Sequence, residues 1–115
     1  MPKPKRGEIW LVRFPFTDLA STKVRPVLVW ATHGEDIIVV GIFSRLPAQP
    51  IRPTWVLIEE GHPDFPRTGL KKTSLLKAEK IAVLHVSVFQ KRLGRITKEL
   101  MNRAESALKK ALLLP

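Results

Sequence analysis

Residues 23–31 read KVRPVLVWA, an apolar run of Val, Leu and Trp with an arginine and a proline at its mouth. Residues of this kind favour a pleated, half-buried strand, and proline has no amide donor, so Pro26 belongs at the first residue of a strand or at a sheet edge. The residue before a proline is biased to extended backbone. Arg25 is therefore expected just before the strand begins, as a permanent charge at a strand end.

The flanks extend the pattern. Upstream, GEIWLVRFPF (7–16) alternates Ile9, Leu11 and Arg13 with Trp10, Val12 and Phe14, a strand with two usable faces that Pro15 closes before the turn-like TDLAST. Downstream, HGED (33–36) is a short connection in which Gly34 takes an awkward dihedral, and IIVVGIFSRL (37–46) is a third strand, apolar enough to be buried on both faces. Gly41 marks a bend or bulge within it. PAQPIRP (47–53) reads as a loop, TWVLIEE (54–60) as a fourth strand and GHPDFPRTGLKK (61–72) as loop again. TSLLKAEKIAVLHV (73–86) reads as two short strand pieces on either side of KAEK, although LLKAEKIAVL taken alone also fits a helix. Only the last segment has plain helical spacing: Leu100, Met101, Ala104, Ala107, Leu108, Ala111 and Leu112 recur on one face, with Thr97 as N-cap and Glu99 in the first turn. The expected fold is mainly β with a C-terminal helix, a small curled antiparallel sheet, in a single domain over residues 1–115.

The totals agree. A chain of 115 residues supports one core, and no repeat or linker divides it. No apolar run approaches the ~20 residues of a membrane span, and MPKPKRGE lacks the apolar stretch of a signal peptide, so a soluble cytoplasmic protein is expected, with no membrane partner. The absence of cysteine removes disulfides, thiolate nucleophiles and Cys-based zinc sites. No HExxH, phosphate-binding glycine loop or His cluster appears, so neither a metal nor another cofactor is expected.

Twenty Lys and Arg against ten Asp and Glu give a formal net charge of +10 and a sequence pI near 10.6, which points to a polyanionic partner. The positive residues cluster in the first thirteen positions, in RTGLKK with the following Lys77 and Lys80, and in QKRLGRITK. The stretch around Glu35, Asp36, Glu59 and Glu60 is locally acidic. Clustering favours a binding patch over uniform decoration.

With these residues in place, KRGEIWLVRFPFTDLASTKVRPVLVWA (5–31) resembles the N-terminal signature of the PemK/MazF-like toxins of toxin-antitoxin pairs, carried by Arg6, Gly7, Glu8, Trp10, Arg25, Pro26, Val27, Leu28 and Val29. Residues 73–112 resemble the family's closing pattern of two strands, a Lys/Arg-Leu-Gly stretch and a terminal helix rich in Ala and Leu. The resemblance implies the barrel fold of those toxins, a homodimer, and metal-independent endoribonuclease activity on single-stranded RNA. It also implies silencing by a cognate antitoxin, with which such toxins bind DNA.

Metal-free RNA cleavage needs the 2′-OH deprotonated, the extra charge on the transition state stabilised, and the leaving 5′-oxygen protonated. A guanidinium presents a planar fork of donors matched to phosphate oxygens, so Arg25 is the candidate for the middle task. The resemblance places a Thr, commonly followed by Ser, at the end of the third strand; here GIFSRL puts Phe43 in the Thr position and Ser44 next to it. In strict register Ser44 faces away from Arg25, whereas a bulge near Gly41 would bring it in as a second catalytic candidate. RNA contacts are expected from Phe16, Thr17 and Lys23 in the first loop, from Arg45, and from Lys71 and Lys72 of RTGLKK. His33, His62 and His85 match no part of the signature and read as solvated or core histidines. Two other functions stay open: a catalytically weakened RNA- or antitoxin-binding module, since Phe43 replaces the hydroxyl, and a gyrase-poisoning relative with the same barrel.

Overall fold

The computed structural model describes residues 3–13 and 24–115. In chain order the elements are β1 (Glu8–Arg13), β2 (Val24–His33), β3 (Asp36–Phe43), β4 (Trp55–Ile58), α1 (Phe65–Thr68), β5 (Ser74–His85), a 3₁₀ turn (Val86–Val88), β6 (Phe89–Arg95) and α2 (Lys98–Ala111). All strand pairs are antiparallel, in the order β4-β5-β3-β2-β1-β6.

That order forces the sheet to curl. β5 and β6 are separated by three strands, which in a flat sheet would put them roughly 19 Å apart. The chain from His85, paired with Asp36, to Phe89, paired with Val12, spans at most about 14 Å when fully extended. Only a rolled sheet brings those ends together, and the concave face then holds a core of Trp10, Val12, Val27, Val29, Ile37, Val39 and Phe89, flanked by Ala82, Leu84, Val86 and Val88. The opposite face carries Ile9, Leu28, Val40, Ile42 and Leu76, and α2 covers it with Leu100, Ala104, Ala107 and Leu108. Both faces of β3 are thus buried, as its apolar sequence predicts.

Several local expectations hold. Gly34 turns β2 into β3 at φ 62°, in the left-handed region that glycine enters without a Cβ clash. Thr97 is the N-cap of α2 with Glu99 in its first turn, but its side chain makes no capping bond and its Oγ1 is buried with no partner. Leu112 falls outside the apolar stripe as the exposed C-cap residue.

Three expectations need correction. Residues 61–72 are not all loop: a single helical turn, α1, starts beside Pro66 and ends at Gly69, whose φ is 73°. β5 is one strand of twelve residues and not two pieces, because KAEK is taken up by a bulge in it. Val40 faces Ile81 and Gly41 faces Lys77, so Ala78, Glu79 and Lys80 have no opposite number on β3. Finally, Arg25 and Pro26 lie inside β2, opposite Val12 and Leu11 of β1. The donor-less proline is accommodated because the β2–β3 ladder stops at Val27 and Gly41, one residue short of it.

Candidate nucleic-acid interface

Strand alternation from Val27 and Val29 sets Arg25 on the concave face of β2, at the end where β3 no longer pairs with it. By the same alternation Phe43 follows Val39 and Gly41 onto that face, and the Arg25 guanidinium carbon lies 5.9 Å from the centre of its ring. Lys77, opposite Gly41, brings its Nζ to 5.0 Å from the same ring. Arg25, Phe43, Arg45, Leu46, Pro47, Lys77 and Lys80 line a shallow groove of about 440 Å³. Four of these seven residues are cationic, and no carboxylate is among the described residues that line it.

This composition is informative. Basic residues on a protein surface ordinarily find acidic neighbours, and a patch that keeps its cations uncompensated focuses positive potential on whatever enters. The aromatic floor adds a surface for flat, polarisable groups.

The sequence-predicted residues divide between two clefts. Arg25 and Arg45 share the groove just described. Ser44 points to the other side of the strand, with Pro26, and lines a neighbouring cleft of about 260 Å³ with Leu11, Gly69, Leu70, Lys71, Lys72, Ser74 and Leu93. The bulge near Gly41 exists, but its extra residues belong to β5 and leave the alternation of β3 unchanged. Strict register therefore holds, and the structure does not bring Ser44 to Arg25. Phe16, Thr17 and Lys23 lie outside the described residues.

Sequence reading left Lys77 and Lys80 off the site. The signal was faint: they sat in a basic cluster, but only the Gly41–Lys77 register and the bulge after it reveal that they face Arg25, some fifty positions earlier in the chain.

The Arg6-Gly7-Glu8 signature has a structural role here. Gly7, at φ 88°, donates to the Val29 carbonyl and accepts from the Ile96 amide, fastening the N-terminus across β2 and the start of α2. The buried Glu8 carboxylate accepts from the Lys5 amide at 2.8 Å and the Trp10 indole at 3.0 Å, and pairs with Arg92 at 3.3 Å. That ion pair uses one of the charges of the basic QKRLGRITK cluster. Arg6 lies over the Trp30 ring at 4.4 Å.

None of the histidines lines the groove. His33 ends β2, and His85 meets Glu35 at 2.8 Å. His62, Asp64 and Glu99 gather within 4.8 Å. Nδ1 of His62 already accepts the Asp64 amide, so the neutral ring carries its proton on Nε2 and donates to Glu99, leaving no lone pair for a metal. The group ties the α1 loop to α2.

Comparison with known proteins places the fold and the family. Residues 5–112 match the family described as PemK-like, MazF-like toxin of type II toxin-antitoxin system. A mycobacterial endoribonuclease solved in complex with its cognate antitoxin is 25% identical, with a TM-score of 0.71 over 97% of either chain. Another mycobacterial endoribonuclease is 26% identical, with a TM-score of 0.72 over 100% of this chain and 96% of its own. A Mycobacterium tuberculosis MazF toxin, 18% identical, shares the fold at a TM-score of 0.73 over 94% and 98% of the two chains. No curated protein sequence matches. With a basic groove on a rolled sheet and a family match over nearly its whole length, the chain belongs to the PemK-like, MazF-like toxins of type II toxin-antitoxin systems.

Proposed function

We propose that this toxin is an endoribonuclease that cuts single-stranded RNA without a metal ion, with Arg25 holding the scissile phosphate. The observation that carries the reading is the groove around Arg25, lined by four cations and by no carboxylate among the described residues. Its described residues offer no carboxylate or imidazole to a divalent cation, so charge on the transition state falls to guanidinium and ammonium groups. Arg25 supplies the bidentate contact, while Lys77, Lys80 and Arg45 fix the strand on either side. Phe43, where the resemblance implies a hydroxyl, instead steadies Arg25 and Lys77 against its ring face.

The test is incubation of the purified protein with long single-stranded RNA in EDTA, followed by mapping of the cut ends. Discrete cuts are expected, with affinity falling by about 0.7 log units per log unit of salt for each phosphate neutralised. Loss of cleavage in EDTA that returns with magnesium would overturn the metal-free reading. Salt-dependent binding without any cleavage would instead identify the weakened binding module, which the separation of Ser44 from Arg25 favours as the second reading.

The partners we propose are single-stranded RNA, a cognate antitoxin and a second copy of the chain, in the cytoplasm. The solved complex of a related endoribonuclease with its cognate antitoxin supports the second. For the third, Leu75, Leu76 and Leu100 are buried within the monomer and offer no surface to a second copy. The large apolar side chains that stay exposed on the strands are Val24 at the start of β2, at 41%, and Ile81 at 37% and Val83 at 62% on β5. Ile81 and Val83 lie where β5 has outrun β4, so residues 81–85 pair with β3 on one side and with no strand on the other among the described residues. An open edge bearing apolar side chains is a template for pairing, and a symmetric dimer closes it. Light scattering at micromolar concentration is expected to give a mass near twice 13.0 kDa, and Val83→Lys to shift it toward the monomer. A wild-type mass near 13.0 kDa removes the dimer.

A further inference from the structure

The groove does not end at Phe43. Lys77 lies 5.0 Å from the Phe43 ring and 4.5 Å from the ring of Trp55, its partner across the β4–β5 ladder. Arg52 follows, 4.9 Å from the same indole. Arg25, Phe43, Lys77, Trp55 and Arg52 thus form a column in which cation and aromatic ring alternate, running from β2 across β3 and β5 to the sheet edge at β4.

The far end is built and not merely crowded. The Trp55 indole donates to Glu79 Oε2 at 2.8 Å, and Arg52 reaches the same oxygen at 3.1 Å. Partial burial raises the Glu79 pKa, but hydrogen bonds from Trp55, its own backbone, Thr54 and Arg52 outweigh it and hold the carboxyl below its ordinary value. Glu79 owes this position to the β5 bulge, which turns it toward Trp55 while Lys80 goes to the Arg25 groove. The carboxylate is consumed in orienting the ring and the guanidinium.

Single-stranded RNA alternates in the same manner, a charged phosphate followed by a flat base. We propose that Lys77, Trp55 and Arg52 form a second RNA subsite, in which Trp55 stacks on a base flanking the cut and the two cations take the phosphates beside it. Two strands lie between Trp55 on β4 and Arg25 on β2, three strand spacings or about 14 Å, so the base it holds is not the one at the scissile phosphate. The subsite rests on the ribonuclease reading above and deepens it: it makes affinity depend on how far the RNA extends past the cut. Stacking on an aromatic ring tolerates any base, so the subsite contributes grip and direction more than sequence choice.

The test uses RNA oligonucleotides centred on the mapped cut, made uncleavable by a 2′-deoxy sugar at that nucleotide, in one short form and in longer forms extended on each side. Fluorescence anisotropy with wild type is expected to show an affinity gain on extension toward one end. Trp55→Ala is expected to lose about tenfold on that long form and little on the short one, with KM on long RNA rising in parallel and kcat changing far less. Trp55→Phe keeps a ring without the indole donor and is expected to restore most of the affinity, which separates stacking from a folding defect. Arg52→Ala is expected to lower the salt slope on the long form only. Wild-type affinity in Trp55→Ala on long RNA, or equal losses on short and long forms, overturns the subsite while leaving the ribonuclease reading intact. If wild type neither binds nor cuts RNA, both fall together.

Discussion

Arg25→Ala is expected to slow RNA cleavage by at least ~10²-fold, on the order of 3 kcal/mol of transition-state stabilisation, while the protein keeps its fold. The two halves of that expectation have different sources. Cleavage concentrates charge on the phosphate oxygens, and the groove's described residues hold no carboxylate or imidazole, so that charge falls to the planar donor fork of Arg25 beside Phe43, while Arg45, the groove's other guanidinium, comes from the chain beyond the end of β3. The fold survives because Arg25 lies beyond the last β2–β3 pair and outside both apolar cores. Cleavage rates on a mapped substrate, with circular dichroism as the fold control, decide it; undiminished cutting removes Arg25 from the mechanism. Ser44→Ala is the informative contrast. Its side chain lines the cleft with Lys71 and Lys72, so a loss equal to that of Arg25→Ala would show that RNA binding draws the two clefts together.

The second large effect concerns stability. A Cβ added to Gly94 would meet the Arg67 carbonyl oxygen at 2.1 Å and the Thr68 carbonyl carbon at 2.6 Å, and one added to Gly69 would meet the Leu93 carbonyl oxygen at 2.1 Å. Here α1 crosses β6 backbone to backbone, with nothing flexible to yield. Gly94→Ala is expected to cost about 3 kcal/mol or more, and Gly69→Ala at least as much because its φ of 73° also strains any side chain. Gly61→Ala, where nothing lies within 4 Å, is the control expected to stay near wild type. Urea midpoints measure all three, and midpoints that match wild type for Gly94→Ala would mean α1 and β6 separate at little cost.

These two sites also mark how far the sequence could be read. The strands from Glu8 to Phe43 were legible because β1 alternates, β2 and β3 are apolar runs rich in Val and Ile, and Gly34 marks a tight turn, while the periodicity of Leu100, Ala104, Ala107 and Leu108 declared α2. The turn of α1 was not, since a helix of four residues next to Pro63 and Pro66 has no period to detect. Nor was the continuity of β5: a bulge is a mismatch between two strands, and KAEK by itself reads as a polar break. Arg25 stood out through its neighbour Pro26, a local signal. Lys77, Trp55 and Arg52 did not, because what joins them to Arg25 is the register of three separate strand pairs. Ser44 was undecided for the same reason, as only the choice of bulged strand settles which face it takes.

The rolled sheet also has a bearing on time. Glu8, in the first strand, pairs with Arg95 in the last, so closure joins segments near opposite ends of the chain. Contacts this distant form slowly, because a long loop must close before they return any energy. Arg25, Phe43 and Lys77 all precede that closure in the order of synthesis, yet the concave core beneath them includes Phe89 and needs β6 to be complete. A ribosome that has released only the groove-bearing strands has therefore not yet made a toxin: the groove becomes rigid only once almost all of the chain has emerged, which sets an interval between translation and the first possible cut.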